Sequence, residues 1–211
     1  MHPCVATHDP GDVGGIIAGE LRMVKMGKVI LGLTISLDGF INDRDGHVDK
    51  LYPDLKELRD SEPLQEAIRD TGAVVMGRNA FAMAGDPDVY AGNYEFQVPI
   101  FVLTHKPPEK HPKETEDLTF TFVMNGIESA VAQAKTAAQE KDVTIIGGAS
   151  VAHQCLRAGL VDELEIDIMP VLLGNGRRLF EESDMQKTQL ERLAVLELPG
   201  GRTHLKFRII K

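Results

Sequence analysis

The sequence predicts an α/β domain of three layers, a mixed and mostly parallel sheet flanked by helices and closed by a C-terminal antiparallel hairpin. Three observations carry this prediction. Near-continuous apolar runs of strand length recur along the chain, as strands buried on both faces do. Segments with helical spacing alternate with them. Two last strand-like runs flank Pro199-Gly200-Gly201, a turn of the kind that joins antiparallel neighbours.

Each element has a local reason. Val29-Ile30-Leu31-Gly32-Leu33-Thr34-Ile35-Ser36 is the first buried strand. Asp54 to Arg69 reads as helical: Leu55 and Leu58 share a face, Pro63 stands where a new helical turn begins, and Leu64, Ala67 and Ile68 continue the stripe. Ala73-Val74-Val75-Met76 is a second strand, Ile100-Phe101-Val102-Leu103 a third and Phe120-Thr121-Phe122-Val123 a fourth. Between the last two, residues 105–118 are charged and rich in proline, a solvated surface loop. Asn125 is placed to cap a helix carrying Ile127, Ala130, Val131, Ala134 and Ala138 at helical spacing. Val143-Thr144-Ile145-Ile146 is a fifth strand, followed by a short helix from Ser150 to Arg157 with Gly159 at its C-terminal stop. Leu164-Glu165-Ile166-Asp167-Ile168 alternates, so one of its faces is polar. The closing strands lie near 193–198 and 204–210.

Size and charge limit the function. At 211 residues the chain is long enough for one well-filled domain, expected over residues 26–211. Residues 1–25 show no sustained period and no signal-peptide pattern, and Met23 and Met26 are candidate alternative starts; this stretch is expected to be a disordered extension. Lys+Arg 23 against Asp+Glu 32 gives a net charge of −9, which argues against a general nucleic-acid binder but leaves room for one basic phosphate pocket. No apolar run approaches the length of a membrane span. Two cysteines, Cys4 and Cys155, make neither a disulfide framework nor a four-cysteine metal site, and a cytoplasmic setting follows. Cys155 reads as a small buried hydrophobe rather than a nucleophile. Met76, Met83, Met124 and Met169 read as core. The seven histidines show no metal-ligand spacing, so no metal is expected.

Two strand ends carry candidate chemistry. In Ile145-Ile146-Gly147-Gly148-Ala149-Ser150 a strand runs through two glycines into a helix, letting backbone N–H groups and the helix N-terminus approach a pyrophosphate. A plain tight turn would use the same residues. In Val75-Met76-Gly77-Arg78 a strand ends on an arginine, whose fork of donors suits a phosphate monoester, although an ordinary surface arginine reads the same way. Ser36-Leu37-Asp38-Gly39-Phe40 and Pro170-Val171-Leu172-Leu173-Gly174-Asn175-Gly176 read as turns after strands.

The order of these segments is more specific than any one of them. SLDGF at 36–40, VMGR at 75–78, IFVLTH at 100–105, IIGGAS at 145–150, AGLVDEL at 158–164 and PVLLGNG at 170–176 together resemble the dihydrofolate reductase-like proteins, in the branch related to the reductase domain of riboflavin biosynthesis. The resemblance spans about residues 27–210. It implies a dihydrofolate reductase-like fold and an NADPH-dependent reductase acting on a small oxidised substrate. It implies that Gly147, Gly148, Ala149 and Ser150 cradle the pyrophosphate, that Gly77 and Arg78 meet the adenosine 2′-phosphate, that Thr104 and His105 flank the adenine, and that Leu173 and Gly174 lie beside the nicotinamide half. It implies a homodimer, consistent with the edge that the last hairpin leaves to be covered. Leu51-Tyr52-Pro53-Asp54-Leu55 resembles the segment that carries the family's acid, so Asp54 is the first candidate proton donor and Asp38 the second; the structural readings beside these are a helix first-turn carboxylate and a turn. Two departures bear on the substrate. Ile146 stands where the riboflavin branch has an acid before Gly-Gly, and the chain has no tryptophan. They point away from a ribityl-phosphate or folate substrate and toward another, apolar or aromatic, one. An NADPH-binding sensor of the same fold without catalysis is the alternative.

Overall fold

The computed structural model describes residues 27–180 and 188–211; the extension expected at 1–25 lies outside the described residues. The strands are β1 (Val29–Ser36), β2 (Phe40–Asn42), β3 (Thr71–Gly77), β4 (Ile100–Leu103), β5 (Phe120–Val123), β6 (Asp142–Ile146), β7 (Glu163–Met169), β8 (Arg177–Arg178), β9 (Gln189–Leu198) and β10 (Arg202–Ile210). The helices are α1 (Leu55–Arg59), α2 (Glu62–Asp70), α3 (Arg78–Ala82), α4 (Tyr90–Asn93), α5 (Ile127–Ala138) and α6 (Ala149–Arg157). Eight strands form one sheet in the order β5-β4-β3-β6-β1-β7-β10-β9, and β2 pairs with β8 in a separate ribbon. From β5 to β7 every pairing is parallel. β10 runs antiparallel to β7 and β9 antiparallel to β10, so the expected C-terminal hairpin closes the sheet.

Strand alternation divides the interior in two. Val29 and Leu31 of β1 join Ile127, Val131 and Ala134 of α5 and Val151 and Cys155 of α6 in one core. On the opposite face Val74 and Met76 pack with Phe81, Tyr90, Phe96 and Phe120. There the Phe81 and Tyr90 rings stack at 5.3 Å. The sheet is thus the middle of three layers. Its β7–β10 quarter departs from this on one face, where alternate residues form a ladder of charges: Lys206 Nζ lies 2.6 Å from Glu165, and His204 Nδ1 lies 2.8 Å from Asp167. This is the polar face that the alternation at 164–168 predicts.

Three local expectations change. The stretch from Asp54 to Arg69 is two helices, broken around Asp60-Ser61, with Pro63 in the first turn of the second. Asn125 does not cap α5; Gly126 holds the cap position with φ of +100°, and no side chain bonds the helix start. Met76 and Met169 are buried, but Met83 and Met124 are 57% and 60% exposed. Met83 is on the wall of the cleft described next, where a flexible apolar side chain has no core to fill.

Candidate functional site

A cleft of about 1040 Å³ opens at the C-terminal ends of β1, β3 and β6. In open α/β sheets this is where ligands bind, because the loops that follow parallel strands diverge there. Its walls include Gly32 and Thr34 of β1, Asn79 of α3 and Met83 just after it, and Gly147 and Gly148. The side opposite is built by the chain around Asn42–Gly46 and by Asn175–Arg177, which the β2–β8 ribbon holds together. Arg44, Arg59 and Arg177 stand around it, interleaved with Asp43 and Asp45.

The two strand–turn–helix units lock against each other. Gly147 has φ of +85°, and a Cβ there would come within 2.6 Å of the Ala80 Cβ on α3. A Cβ on Gly77 would come within 2.9 Å of Val151 on α6. These glycines let α3 and α6 start side by side. Gly148 is different: its φ is +76°, and a Cβ would meet nothing within 4 Å. The space before the α6 N-terminus is a cradle that a side chain would fill. Ala149 is buried and Ser150 exposed at the start of that helix. Arg78 is the exposed first residue of α3. Leu103 pairs with Gly77 across β4 and β3, so Thr104 and His105 emerge beside Arg78. Thr104 is buried, with its hydroxyl donating to the Lys106 carbonyl at 2.7 Å, whereas His105 is exposed. Gly147 and Gly148 line the cleft; Gly77, Arg78, Thr104, His105, Ala149, Ser150, Leu173 and Gly174 do not.

Neither carboxylate singled out as a proton donor lines the cleft. The oxygens of Asp38 accept from the Leu173 amide at 3.1 Å, the Gly174 amide at 2.7 Å and the Ser36 hydroxyl at 2.6 Å. The Ser36 hydroxyl, aided by these amides, holds the Asp38 carboxyl down at about 2. It is an ionised staple between two turns, with no proton to give near neutrality. Arg178 adds a second tie, stacking 4.4 Å over the Phe40 ring and donating to the Asp38 carbonyl.

Asp54 pairs with Arg202, whose side chain is fully buried. Nη2 of Arg202 donates to Asp54 Oδ1 at 2.7 Å and to the Leu51 carbonyl at 3.0 Å, and Nη1 donates to Thr34 Oγ1 at 3.0 Å. Asp54 therefore precedes α1 without capping it with its side chain. The closing hairpin completes the contact: Gly200, at φ of +72°, passes so close that a Cβ would lie 2.6 Å from Asp54 Oδ2.

A branch cavity of about 160 Å³ adjoins the main cleft. Leu33, Thr34, Tyr52, Arg59 and Ile146 are common to both. Its floor is apolar, from Leu58, Leu64 and Phe96, and its rim carries Glu95, Asp167 and His204. Tyr52 stands at the junction, and burial, opposed by the Thr34 hydroxyl and Arg202, pushes its phenol above the usual tyrosine range. Thr34, Tyr52, Arg59 and Arg202 are residues that the motifs did not single out. The signal available for Arg202 was the alternation of Arg202, His204, Lys206 and Arg208 in the last strand, complementary to Glu163, Glu165 and Asp167.

Among the described residues no cluster of three or more His, Cys, Asp or Glu side chains is placed to hold a metal ion. Cys155 is fully buried, and burial pushes its thiol up to about 12, so it is inert packing. No helix among the described residues is long and apolar enough to cross a membrane.

The model of the RibD C-terminal domain family matches residues 27–203. The uncharacterised protein YyaP of Bacillus subtilis (strain 168) is 28% identical over 162 residues, covering 74% of this chain and 82% of that protein. The crystal structure of a protein named for riboflavin biosynthesis from Shewanella sp. PV-4 superposes with a TM-score of 0.71 at 22% identity, over 87% of this chain and 99% of that one. Dihydrofolate reductase from Enterococcus faecalis, complexed with NADP(H), superposes with a TM-score of 0.57 at 17% identity, over 88% and 98%. At these identities the structural likeness is one of fold, and that fold is dihydrofolate reductase-like.

Proposed function

The chain belongs to the RibD C-terminal domain family, and from that premise we propose that it is an NADPH-dependent reductase of a small heterocyclic or carbonyl-like substrate. One observation carries the reading: the open cradle at Gly148, before the α6 N-terminus and on the wall of a cleft at the ends of β1, β3 and β6. The cleft volume suits a dinucleotide with a small molecule beside it, since ligand pockets commonly run to roughly 300–1,000 Å³.

In this reading the amides of Gly147, Gly148, Ala149 and Ser150 hold the pyrophosphate. Arg78, released by the Gly77 turn, reaches the 2′-phosphate, and Thr104 and His105 flank the adenine. The Leu173-Gly174 turn, fixed by Asp38, closes the nicotinamide side. The cofactor supplies the hydride when bound; the protein orients both partners and manages the proton. A cytoplasmic setting is part of the same reading.

Arg78→Ala tests the assignment. Loss of a charged hydrogen bond to the 2′-phosphate is expected to weaken NADPH by about 1.5–3 kcal/mol in a fluorescence titration. NADH, which lacks that phosphate, should bind the variant as it binds the wild type. Equal losses for both nucleotides would move Arg78 out of the 2′-phosphate site. Failure of the wild type to bind either would remove the cofactor.

We also propose a homodimer. β9 is the outermost strand of the sheet, and Leu190, Leu193, Val195 and Leu196 on it are 37% to 51% exposed. A long apolar edge of this kind is an association site unless it is covered. Light scattering should give twice 23.1 kDa, and a mass of one chain would contradict the proposal.

A further inference from the structure

We propose that the Tyr52 hydroxyl delivers the proton that completes the reduction, from the junction of the main cleft and the branch cavity. This rests on the reductase reading above and adds to it the residue that the acid motif did not identify.

Asp38 and Asp54 line neither cavity and are fully engaged, and Asp43 and Asp45 border the main cleft only, beside the β2–β8 ribbon and away from the junction. Asp167 borders the branch cavity, but Oδ1 accepts from His204 Nδ1 at 2.8 Å and Oδ2 lies 3.5 Å from Arg202 Nη1. Glu95 faces Arg59 at 3.8 Å, and His204 reaches only the branch cavity. Two hydroxyl-bearing residues border both spaces, Thr34 and Tyr52. Thr34 Oγ1 already accepts from Arg202. The phenol of Tyr52 is the more acidic of the two.

The surroundings match a donor that must also survive as an anion. Arg202 lies 5.6 Å over the Tyr52 ring, and both Arg202 and the Thr34 hydroxyl favour the phenolate. Burial and the carboxylates of Asp167 and Glu95 oppose it and prevail, so the phenol is protonated at neutral pH. Asp54, by holding Arg202, is a positioning residue for Tyr52. In the step itself, the carbon of the substrate's C=N or C=O bond accepts hydride from the nicotinamide. The π electron pair moves to the heteroatom, which takes the Tyr52 proton. The phenolate, steadied by Thr34 and Arg202, regains a proton from water. The products are the reduced C–H and N–H or O–H compound and the oxidised nicotinamide.

The test uses Tyr52→Phe in the full chain, with 7,8-dihydrofolate and 9,10-phenanthrenequinone as the C=N and C=O probes. Loss of a general acid is expected to lower kcat by roughly 100-fold or more, with KM and the NADPH dissociation constant little changed. The wild-type rate should be nearly flat between about pH 6 and 8, because the raised phenol stays protonated there. The variant rate should fall steadily as pH rises, since its proton then comes from bulk acid. A second readout needs no turnover. The chain has three tyrosines, so ring-carbon labelling gives three assignable phenol resonances. In the NADP⁺-saturated protein, adding either probe should shift Tyr52 and leave Tyr90 and Tyr94 in place. Equal kcat and pH profiles for wild type and variant, or an unmoved Tyr52 resonance, would overturn the donor role and leave the reductase reading standing. Absence of NADPH oxidation and of any probe-induced shift would overturn both.

Discussion

Asp54→Ala is expected to destabilise the fold by about 3–5 kcal/mol, the usual cost of leaving the other member of a buried ion pair uncompensated. Arg202 has no exposed surface and four acceptors around it: Asp54, Asp167, Thr34 and the Leu51 carbonyl. Removing Asp54 leaves a fully buried guanidinium with one of its two carboxylate partners. The same change opens space beside Gly200, so the β9–β10 hairpin loses its anchor on the helical layer. Urea unfolding measures the effect. Asp54→Asn should lose nearly as much, because it keeps the shape and removes the charge. A second variant, Asp54→Leu with Arg202→Met, should recover part of the loss, since well-packed apolar replacements of buried pairs are often neutral. A cost below about 1 kcal/mol for Asp54→Ala, the range of exposed pairs, would mean that water reaches Arg202.

The second large effect separates two adjacent glycines. Gly147→Ala must place a Cβ 2.6 Å from the Ala80 Cβ on a backbone with φ of +85°. Left-handed strain of roughly 1–2 kcal/mol and overpacking of roughly 1–3 kcal/mol should add, lowering stability by about 2–5 kcal/mol. Gly148→Ala carries the strain alone, because nothing stands within 4 Å. Its larger consequence is for binding. The new methyl occupies the cradle and keeps a phosphate from the α6 amides, so NADPH affinity should fall by more than about tenfold, or about 1.4 kcal/mol. Thermal melts and nucleotide titrations of the two variants distinguish these effects. Unchanged NADPH affinity in Gly148→Ala would show that the pyrophosphate lies elsewhere.

Most of this architecture is legible in the sequence. Buried parallel strands such as Val29–Ser36 and Ile100–Leu103 announce themselves as apolar runs, because both faces of the sheet are covered. Turn chemistry is equally readable: Gly147 stands where backbone sign and packing both demand glycine. Capping was less readable, and Asn125 shows why. A side chain with capping chemistry does not cap if the next residue, here Gly126 at φ of +100°, swings the chain into the helix by another route. The setting of Asp54 is hidden for a related reason. Sequence shows that Asp54 precedes a helix but not that Arg202, 148 residues away, folds over to take both its oxygens. Tyr52 stands two positions earlier in the same segment, and only its place between two cavities marks it. Long-range polar partnerships of this kind leave a trace in sequence only as complementary alternation in separate strands. The acids of β7 and the bases of β10 carry that trace.

The measurement that bears most directly on the cofactor assignment is a crystal structure of the protein grown with NADP⁺. The account predicts the pyrophosphate within hydrogen-bond distance of the amides that follow Gly147. It predicts the 2′-phosphate against Arg78 and the nicotinamide facing Tyr52 and Thr34. A dinucleotide bound at another place, or a cleft left empty at saturating NADP⁺, would contradict it.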